Sequence, residues 1–420
     1  MGKDWDKVVM GVEYWKECLR VLKAGSLIFV MSAPRQDVLS RAIINLQDAG
    51  FNTGFTSLYW AYASGFPKAS NVSKMVDKRL GIESDTEEYE HPQRKNRSSN
   101  YSTGFSKAEE RENKTGSKIQ RNIATSSQAK ALEGSYGGFQ PKPSVEIVLV
   151  AMKPLSEKTY VDQAMKNGKG ISWLDDCRIP YESEDDKNSM DIRHYQQEDC
   201  FQNKEPKKSK FQVKESNPQG RFPANLISSD NVLDDGRVSG GGDMKFGSNR
   251  KSQNQEQQMP SNQNIKNAMD NYGDTGSFNR YFDLDKWFTQ RLKKLPESVQ
   301  KVFPFLIVPK AGKSEKNKGC DELEEKQLHT RGCHKSSVVE RPPEYKVQNN
   351  HPTSKPIKLM SYLITLGSRE GDIVLDPFAG SGTTAIAAKM LKRKYIGIEK
   401  EKEYCKIAEE RLKAFQEPML

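Results

Sequence analysis

The sequence predicts an α/β protein with a doubly wound sheet, and two observations carry that prediction. Near the start, helical and strand patterns alternate over residues 8–63. Near the end, residues 371–399 read as strand, acidic tip, glycine turn, helix, strand and second acidic tip. Alternation of this kind is how helices come to cover a mostly parallel sheet.

The N-terminal elements follow in order. Val8, Val12, Trp15, Leu19 and Leu22 fall at helical spacing, and Gly25 stands where a helix-ending glycine belongs. The continuous apolar run Ser26 to Met31 predicts a strand buried on both faces. Val38, Ala42, Ile43, Leu46 and Ala49 mark a second helix, closed by Gly50, and Phe51 to Ala63 a further strand rich in aromatic and β-branched residues. Another core strand is expected at Val145 to Ala151, and a short one with edge-type prolines at Phe303 to Lys310.

In the C-terminal stretch, Ile373, Val374 and Leu375 form a buried strand ending in Asp376. Gly380 and Gly382 let the backbone turn tightly beside a ligand, and Thr383 and Thr384 open a helix that runs to Leu391. Lys392, Arg393 and Lys394 suit the negative end of that helix. The strand Tyr395 to Ile398 then delivers Glu399, 23 residues beyond Asp376, where an acid accepts hydrogen bonds from ribose hydroxyls. Two familiar nucleotide motifs fit poorly. A P-loop needs Lys where Thr383 stands, and a dinucleotide fingerprint needs a third glycine where Ala385 stands. A plain strand-turn-helix corner without a ligand is the remaining alternative.

The string Asp376-Pro-Phe-Ala-Gly-Ser-Gly-Thr-Thr384 is narrower than either pattern and resembles the S-adenosylmethionine motif of DNA methyltransferases that modify adenine N6 or cytosine N4. The resemblance implies a Rossmann-like S-adenosylmethionine-dependent methyltransferase sheet, circularly permuted, with long low-complexity insertions. It implies that Asp376, Pro377, Phe378, Gly380, Gly382, Thr383 and Thr384 hold the methionine part of the cofactor and Glu399 the ribose. His351-Pro-Thr-Ser-Lys355 resembles the family's lead-in to the cofactor strand, so His351 and Lys355 join the expected binding set. Tyr14 to Gly25, Asp48 to Phe51, Trp60 to Lys68 and Asn71 to Lys74 resemble consecutive landmarks of phage and prophage DNA methylases, with Ala24 in place of the usual proline. Trp60 to Lys68 is either a plain aromatic strand and turn or also a lining of the DNA or target-base cleft.

Five segments are expected on this basis. Residues 1–80 form the catalytic-side half and 81–134 a polar, flexible insertion. Residues 135–180 carry a returning core strand, 181–300 a variable target-recognition region, and 301–420 the cofactor-binding half. The variable region contains a Lys-rich stretch, Lys204 to Lys214, and a Gln/Asn-rich one, Ser248 to Asn271. If the lysines touch phosphates, their deletion flattens the salt dependence of DNA binding.

Composition narrows the class. Only 35% of the 420 residues are hydrophobic and the mean hydropathy is −0.81, so a good part of the chain is not packed interior. A net charge of +10 fits a polyanionic partner, here double-stranded DNA. The six scattered cysteines make no disulfide framework, and Cys320, Cys333 and His334 fall short of four zinc ligands, so no metal is expected. Without a secretory signal or an apolar run of membrane length, the expected location is the cytoplasm.

Methylating an exocyclic amine requires the base to leave the stack and be gripped on an aromatic face, with acceptors for its amino hydrogens. In the family this grip is a short Asp/Asn/Ser-Pro-Pro-aromatic motif beside the cofactor strand. The one Pro-Pro here, in Arg341-Pro-Pro-Glu-Tyr345, does not match, so no catalytic residue is assigned. Met1 to Asp6 resembles the stretch that follows the grip motif in relatives. The expectation is therefore that the chain begins roughly a few tens of residues late and leaves an unpaired edge beside Ile373 to Leu375. A misassigned start, a split gene with a partner polypeptide supplying the catalytic strand, or a decayed gene would each produce it. A non-catalytic DNA-binding subunit or remnant of a modification system is the alternative function, and a restriction endonuclease a further partner.

Overall fold

The computed structural model describes residues 9–62, 69–83, 85–90, 118–139, 141, 144–188, 192–194, 212–214, 216–229, 233, 277–294, 313–323, 326–327 and 346–415. The expected Phe303–Lys310 strand, the Gln/Asn-rich stretch, Cys333, His334 and Arg341–Tyr345 lie outside these residues, as does most of the Lys-rich stretch. The chain forms two compact units, residues 1–64 with 144–420, and residues 65–143.

The larger unit begins with α1 (Val12–Val21), β1 (Leu27–Ser32), α2 (Gln36–Asp48) and β2 (Leu58–Ala61). The smaller unit contributes α3 (Val72–Leu80), β3 (Thr86–Glu90), β4 (Lys118–Asn122) and α4 (Ser127–Ala131). The larger resumes with β5 (Val145–Met152), α5 (Tyr160–Asn167), α6 (Glu184–Asn188), β6 (Ile192–His194), β7 (Gln212–Lys214), β8 (Leu226–Ser228), α7 (Leu284–Leu292), α8 (Lys313–Asn317), β9 (Lys326–Gln327) and β10 (Lys346–Val347). It ends with α9 (Ile357–Gly367), β11 (Ile373–Asp376), α10 (Thr383–Met390), β12 (Lys394–Gly397) and α11 (Lys402–Lys413).

The main sheet has the order β1-β5-β2-β8. β5 runs antiparallel to both neighbours, with Leu27 opposite Met152 and Leu58 opposite Val148, while β2 and β8 are parallel. Side chains alternate across β1. Ile28 and Val30 join a cluster with Trp15, Leu46, Phe51 and Leu149 beneath α1 and α2. Phe29 and Met31 join the larger core, where Trp60, Ile227, Trp287, Leu359, Tyr362 and Ile386 are buried. Helices thus cover both faces, as the alternation predicts. Full burial of β1 was expected from its apolar run, yet Leu27 to Met31 are only partly buried. The reason is positional: among the described residues β1 is an edge of its sheet, and its far side borders a cleft.

β11 and β12 form a separate parallel pair, with Leu375 opposite Ile396 and Asp376 opposite Gly397. The last helix packs behind the turn. Its Ala408 sits against Gly382, so α11 backs the glycine turn and α10.

The smaller unit starts well before the expected polar insertion. Asn71 caps α3 by accepting from Lys74 N, and Ser126 caps α4 by accepting from Ala129 N. With few large apolar residues to bury, the unit is tied by Asp77, which is 1% exposed and accepts from Thr125 N, Ser126 N and Ser126 Oγ. The Ser126 hydroxyl, with the backbone amides beside it, holds the Asp77 carboxyl below its ordinary range. Among the described residues no helix is long and apolar enough to cross a membrane.

Candidate functional site

The strand-turn-helix corner is built as its residues dictate. β11 and β12 end side by side, so Asp376 and Glu399 come to the same rim of the parallel pair. Asp376 closes the turn on itself: one carboxylate oxygen accepts from Phe378 N at 3.0 Å and the other from the Thr384 hydroxyl. Glu399 reaches over the same loop, accepting from Gly380 N at 2.8 Å and, on its other oxygen, from Glu401 N at 2.9 Å. A carboxylate offers about four lone-pair sites, so each acid keeps capacity for a ligand.

The two glycines are steric requirements. Gly380 has φ +51°, and a Cβ there would stand 2.6 Å from Nε2 of His351; Gly382 has φ +76°, and its Cβ would stand 2.8 Å from that of Ala408. Both are in the left-handed region, and both are pressed by a neighbour. Beyond Gly382, α10 begins with Thr383 and Thr384 buried, and its first amides lack intrahelical acceptors.

His351 is the lid of the loop. Its ring meets Tyr404 edge-on at 4.5 Å between centroids, and its Nδ1 faces Thr353 N at 3.4 Å. Burial pushes its pKa down, with the Glu399 charge opposing part of that shift. Ser354 and Ser381 hydroxyls meet at 2.9 Å, so the His351–Lys355 segment is stitched to the turn. Lys355 lines the adjoining cleft, with its ammonium held 2.6 Å from a Glu146 carboxylate oxygen of β5. The Phe378 ring is 47% exposed and meets Trp15 edge-on. All ten expected site residues, Pro377 included, therefore lie on the β11–α10 turn, the tip of β12 or the segment packed over them.

Sequence reading missed the brace beneath the loop. Arg411 of α11 is fully buried and donates to the Ser381 carbonyl, the Ser381 hydroxyl at 3.0 Å and the Thr383 hydroxyl at 3.2 Å. Buried Glu315 lies nearby; it accepts from Ile357 N at 2.7 Å, and burial raises its pKa while that amide and the Arg411 charge oppose the rise. Arg411 hides in a charged Glu-Glu-Arg-Leu string, but it is four residues past Ile407 and therefore on the buried stripe with Tyr404 and Phe415. Trp60 and Tyr62 belong to the core, and Trp60 Nε1 donates to Ser229 Oγ at 3.0 Å; residues 63–68 lie outside the described ones.

The corner opens onto a cleft of about 1270 Å³ between β1 and β11, larger than the roughly 300–1,000 Å³ typical of small-molecule sites. Trp15 and Ala42 lie on one side of it, Leu363 and Ile364 of α9 on the other. A cofactor of the expected kind fits the donor set: two acids at adjacent strand tips, a turn into which a Cβ would not fit, and exposed Phe378 and Ile398 as apolar surface.

The chain is 55% identical over 67 residues to the type II methyltransferase M2.DpnII of Streptococcus pneumoniae, a stretch covering 16% of this chain and 25% of that protein. It is 56% identical over 70 residues to the orphan methyltransferase M.BamHII of Bacillus amyloliquefaciens, covering 17% and 26% respectively. The matched stretches thus span about a quarter of the relatives' length. Among solved structures, the cytosine-N4-specific PvuII DNA methyltransferase aligns with 95% of this chain and 70% of its own at 13% identity, with a TM-score of 0.34. The profile of the DNA methylases matches residues 3–410, nearly the whole chain, and the protein belongs to the N6/N4 DNA methylase family.

Proposed function

We propose that the chain is an S-adenosylmethionine-dependent DNA methyltransferase that acts on adenine N6 or cytosine N4. The observation that carries this reading is the corner where Asp376 and Glu399 hold one glycine turn between them, in a chain of the DNA methylase family. The Asp376 and Glu399 carboxylates orient the ligand's ammonium and hydroxyl groups. Pro377, Phe378, Gly380, Gly382, Thr383 and Thr384 shape the wall, and His351 and Lys355 close the side. S-adenosylmethionine supplies an electrophilic sulfonium methyl to the base nitrogen. The segment order, with this corner near the C-terminus, is that of a permuted methyltransferase.

Double-stranded DNA is the substrate in this reading, and the cytoplasm its location. The region 181–300 selects the sequence. A restriction endonuclease is a companion of the system. Isothermal titration tests the first part: S-adenosylmethionine binds the native chain, and Asp376→Ala loses at least about tenfold in affinity. ATP binding without S-adenosylmethionine binding overturns the reading.

A second reading is a DNA-binding subunit without catalysis of its own, favoured by the absence of a Pro-Pro-aromatic grip string in residues 1–420. Labelled methyl transfer to DNA by the chain alone would exclude it.

A further inference from the structure

β5 is an apolar strand with one charge in it. From Val145 to Met152 only Glu146 is ionisable. It stands opposite Trp60 of β2, and alternation puts it on the same face as Val148, which is buried in the larger core. A carboxylate in that position loses hydration and needs a cation to meet it. Lys355 does so: its Nζ lies 2.6 Å from Oε2 of Glu146, and the two side chains are 30% and 20% exposed respectively. Burial pushes the nearby Tyr62 phenol up to about 12, and the Glu146 charge adds to that rise, so charges here are felt through weakly screening surroundings.

The lysine side is equally fixed. The Ser354 hydroxyl meets that of Ser381 in the glycine turn at 2.9 Å, and Ile357 opens α9 two residues beyond Lys355. Lys355 lines the cleft together with Asp376 and Phe378. Its ammonium therefore belongs to the wall of the ligand corner, while the anion that compensates it comes from the main sheet. Two other cations that line the cleft are also matched: Arg35 pairs with Asp37, and Lys169 with Asp372 at 2.7 Å.

The state of that ammonium bears on which ligand the corner takes. S-adenosylmethionine carries a sulfonium cation, and its demethylated product, S-adenosylhomocysteine, carries a neutral thioether on the same skeleton. A bare ammonium at the wall repels the first and is indifferent to the sulfur of the second. At an effective dielectric constant of about 20 such a repulsion extends over several ångströms. We infer that Glu146 is a positioning residue that sets the charge of the cofactor site: by holding and neutralising the Lys355 ammonium, it keeps the corner from rejecting the sulfonium cation in favour of its thioether product. This rests on the S-adenosylmethionine reading of the corner and adds to it a residue of the main sheet.

Calorimetry on the full chain with both ligands tests it, because a residue that merely supports the fold would weaken both alike. Glu146→Gln keeps the shape and removes the charge. The ratio of the two affinities is expected to shift by about three- to tenfold against S-adenosylmethionine, with S-adenosylhomocysteine within about twofold of native. The shift is expected to shrink as salt rises from about 0.05 to about 0.5 M. Lys355→Met should move the ratio the opposite way, which keeps the test decisive if Glu146→Gln does not fold. The double variant should return the ratio close to native. Equal losses for both ligands overturn the inference, as do an unaltered ratio in the single variants or a double variant that shifts as far as Glu146→Gln alone. A native chain that binds neither ligand overturns the cofactor reading and this inference with it, whereas binding of both with an unaltered ratio in the variants sinks the charge role alone.

Discussion

The guanidinium of Arg411, in the last helix, donates to the carbonyl oxygen of Ser381, in the middle of the glycine turn thirty residues earlier. The glycine turn is therefore fixed from behind by a buried charge. Burial lowers the Arg411 pKa, opposed by the Glu315 charge beside it. Replacing Arg411 by Met removes the positive charge near Glu315 and the donor to the Ser381 carbonyl, and should lower stability by about 2–4 kcal/mol in thermal or urea unfolding. Arg411→Lys keeps the charge but not the planar fork, and should weaken S-adenosylmethionine binding by about tenfold with a smaller loss of stability. Unchanged affinity in Arg411→Lys would show that the brace supports folding alone.

Gly380 and His351 form a steric pair. Gly380→Ala should cost about 1–3 kcal/mol, from the left-handed backbone and the ring that stands in the way of its Cβ. The double variant with His351→Ala removes the clash and should recover part of that loss, a coupling measurable in a double-mutant cycle. Strict additivity would mean that the loop moves away from His351.

His351 also gives the protein a pH signature. Its folded pKa lies below the ordinary value of about 6.5, so the unfolded chain binds its proton more readily. The stability this histidine contributes is complete above about pH 6.5 and falls as the pH drops through the lowered folded value. His351→Asn should flatten the stability profile in that interval, read as the difference between the two proteins' unfolding midpoints. Parallel profiles would contradict the burial of the ring.

Asp77 offers a control elsewhere in the molecule. Asp77→Asn deprives the Thr125 and Ser126 amides of a charged acceptor and should lower the melting of the 65–143 unit, while S-adenosylmethionine affinity stays unchanged. A shift in affinity would reveal a dependence between the units.

Much of this was legible in the residues. Asp376, Gly380, Gly382 and Glu399 could be read because a tight turn, a helix start and two strand tips each restrict residue type, and the structure brings them together. The helices and strands of 12–61 were legible through periodicity. The antiparallel course of β5 was not, since an apolar run carries no direction. Arg411 escaped because a buried arginine and a solvated one look alike in a charged helix until the helical face is drawn. The smaller unit escaped because polarity suggests solvation, whereas Asp77 shows a polar side chain serving as the core tie.

The division of the sheet into two parts has a thermodynamic consequence. β11 and β12 are held to the larger sheet through α9, which packs on both β1 and α10, and among the described residues no ladder of backbone bonds crosses the cleft. Anything that fixes the ligand corner against β1 favours closure of the gap, and closure in turn fixes the corner. Linkage makes this reciprocal: whatever favours closure of the cleft must raise the corner's affinity for a ligand by the same factor by which that ligand favours closure.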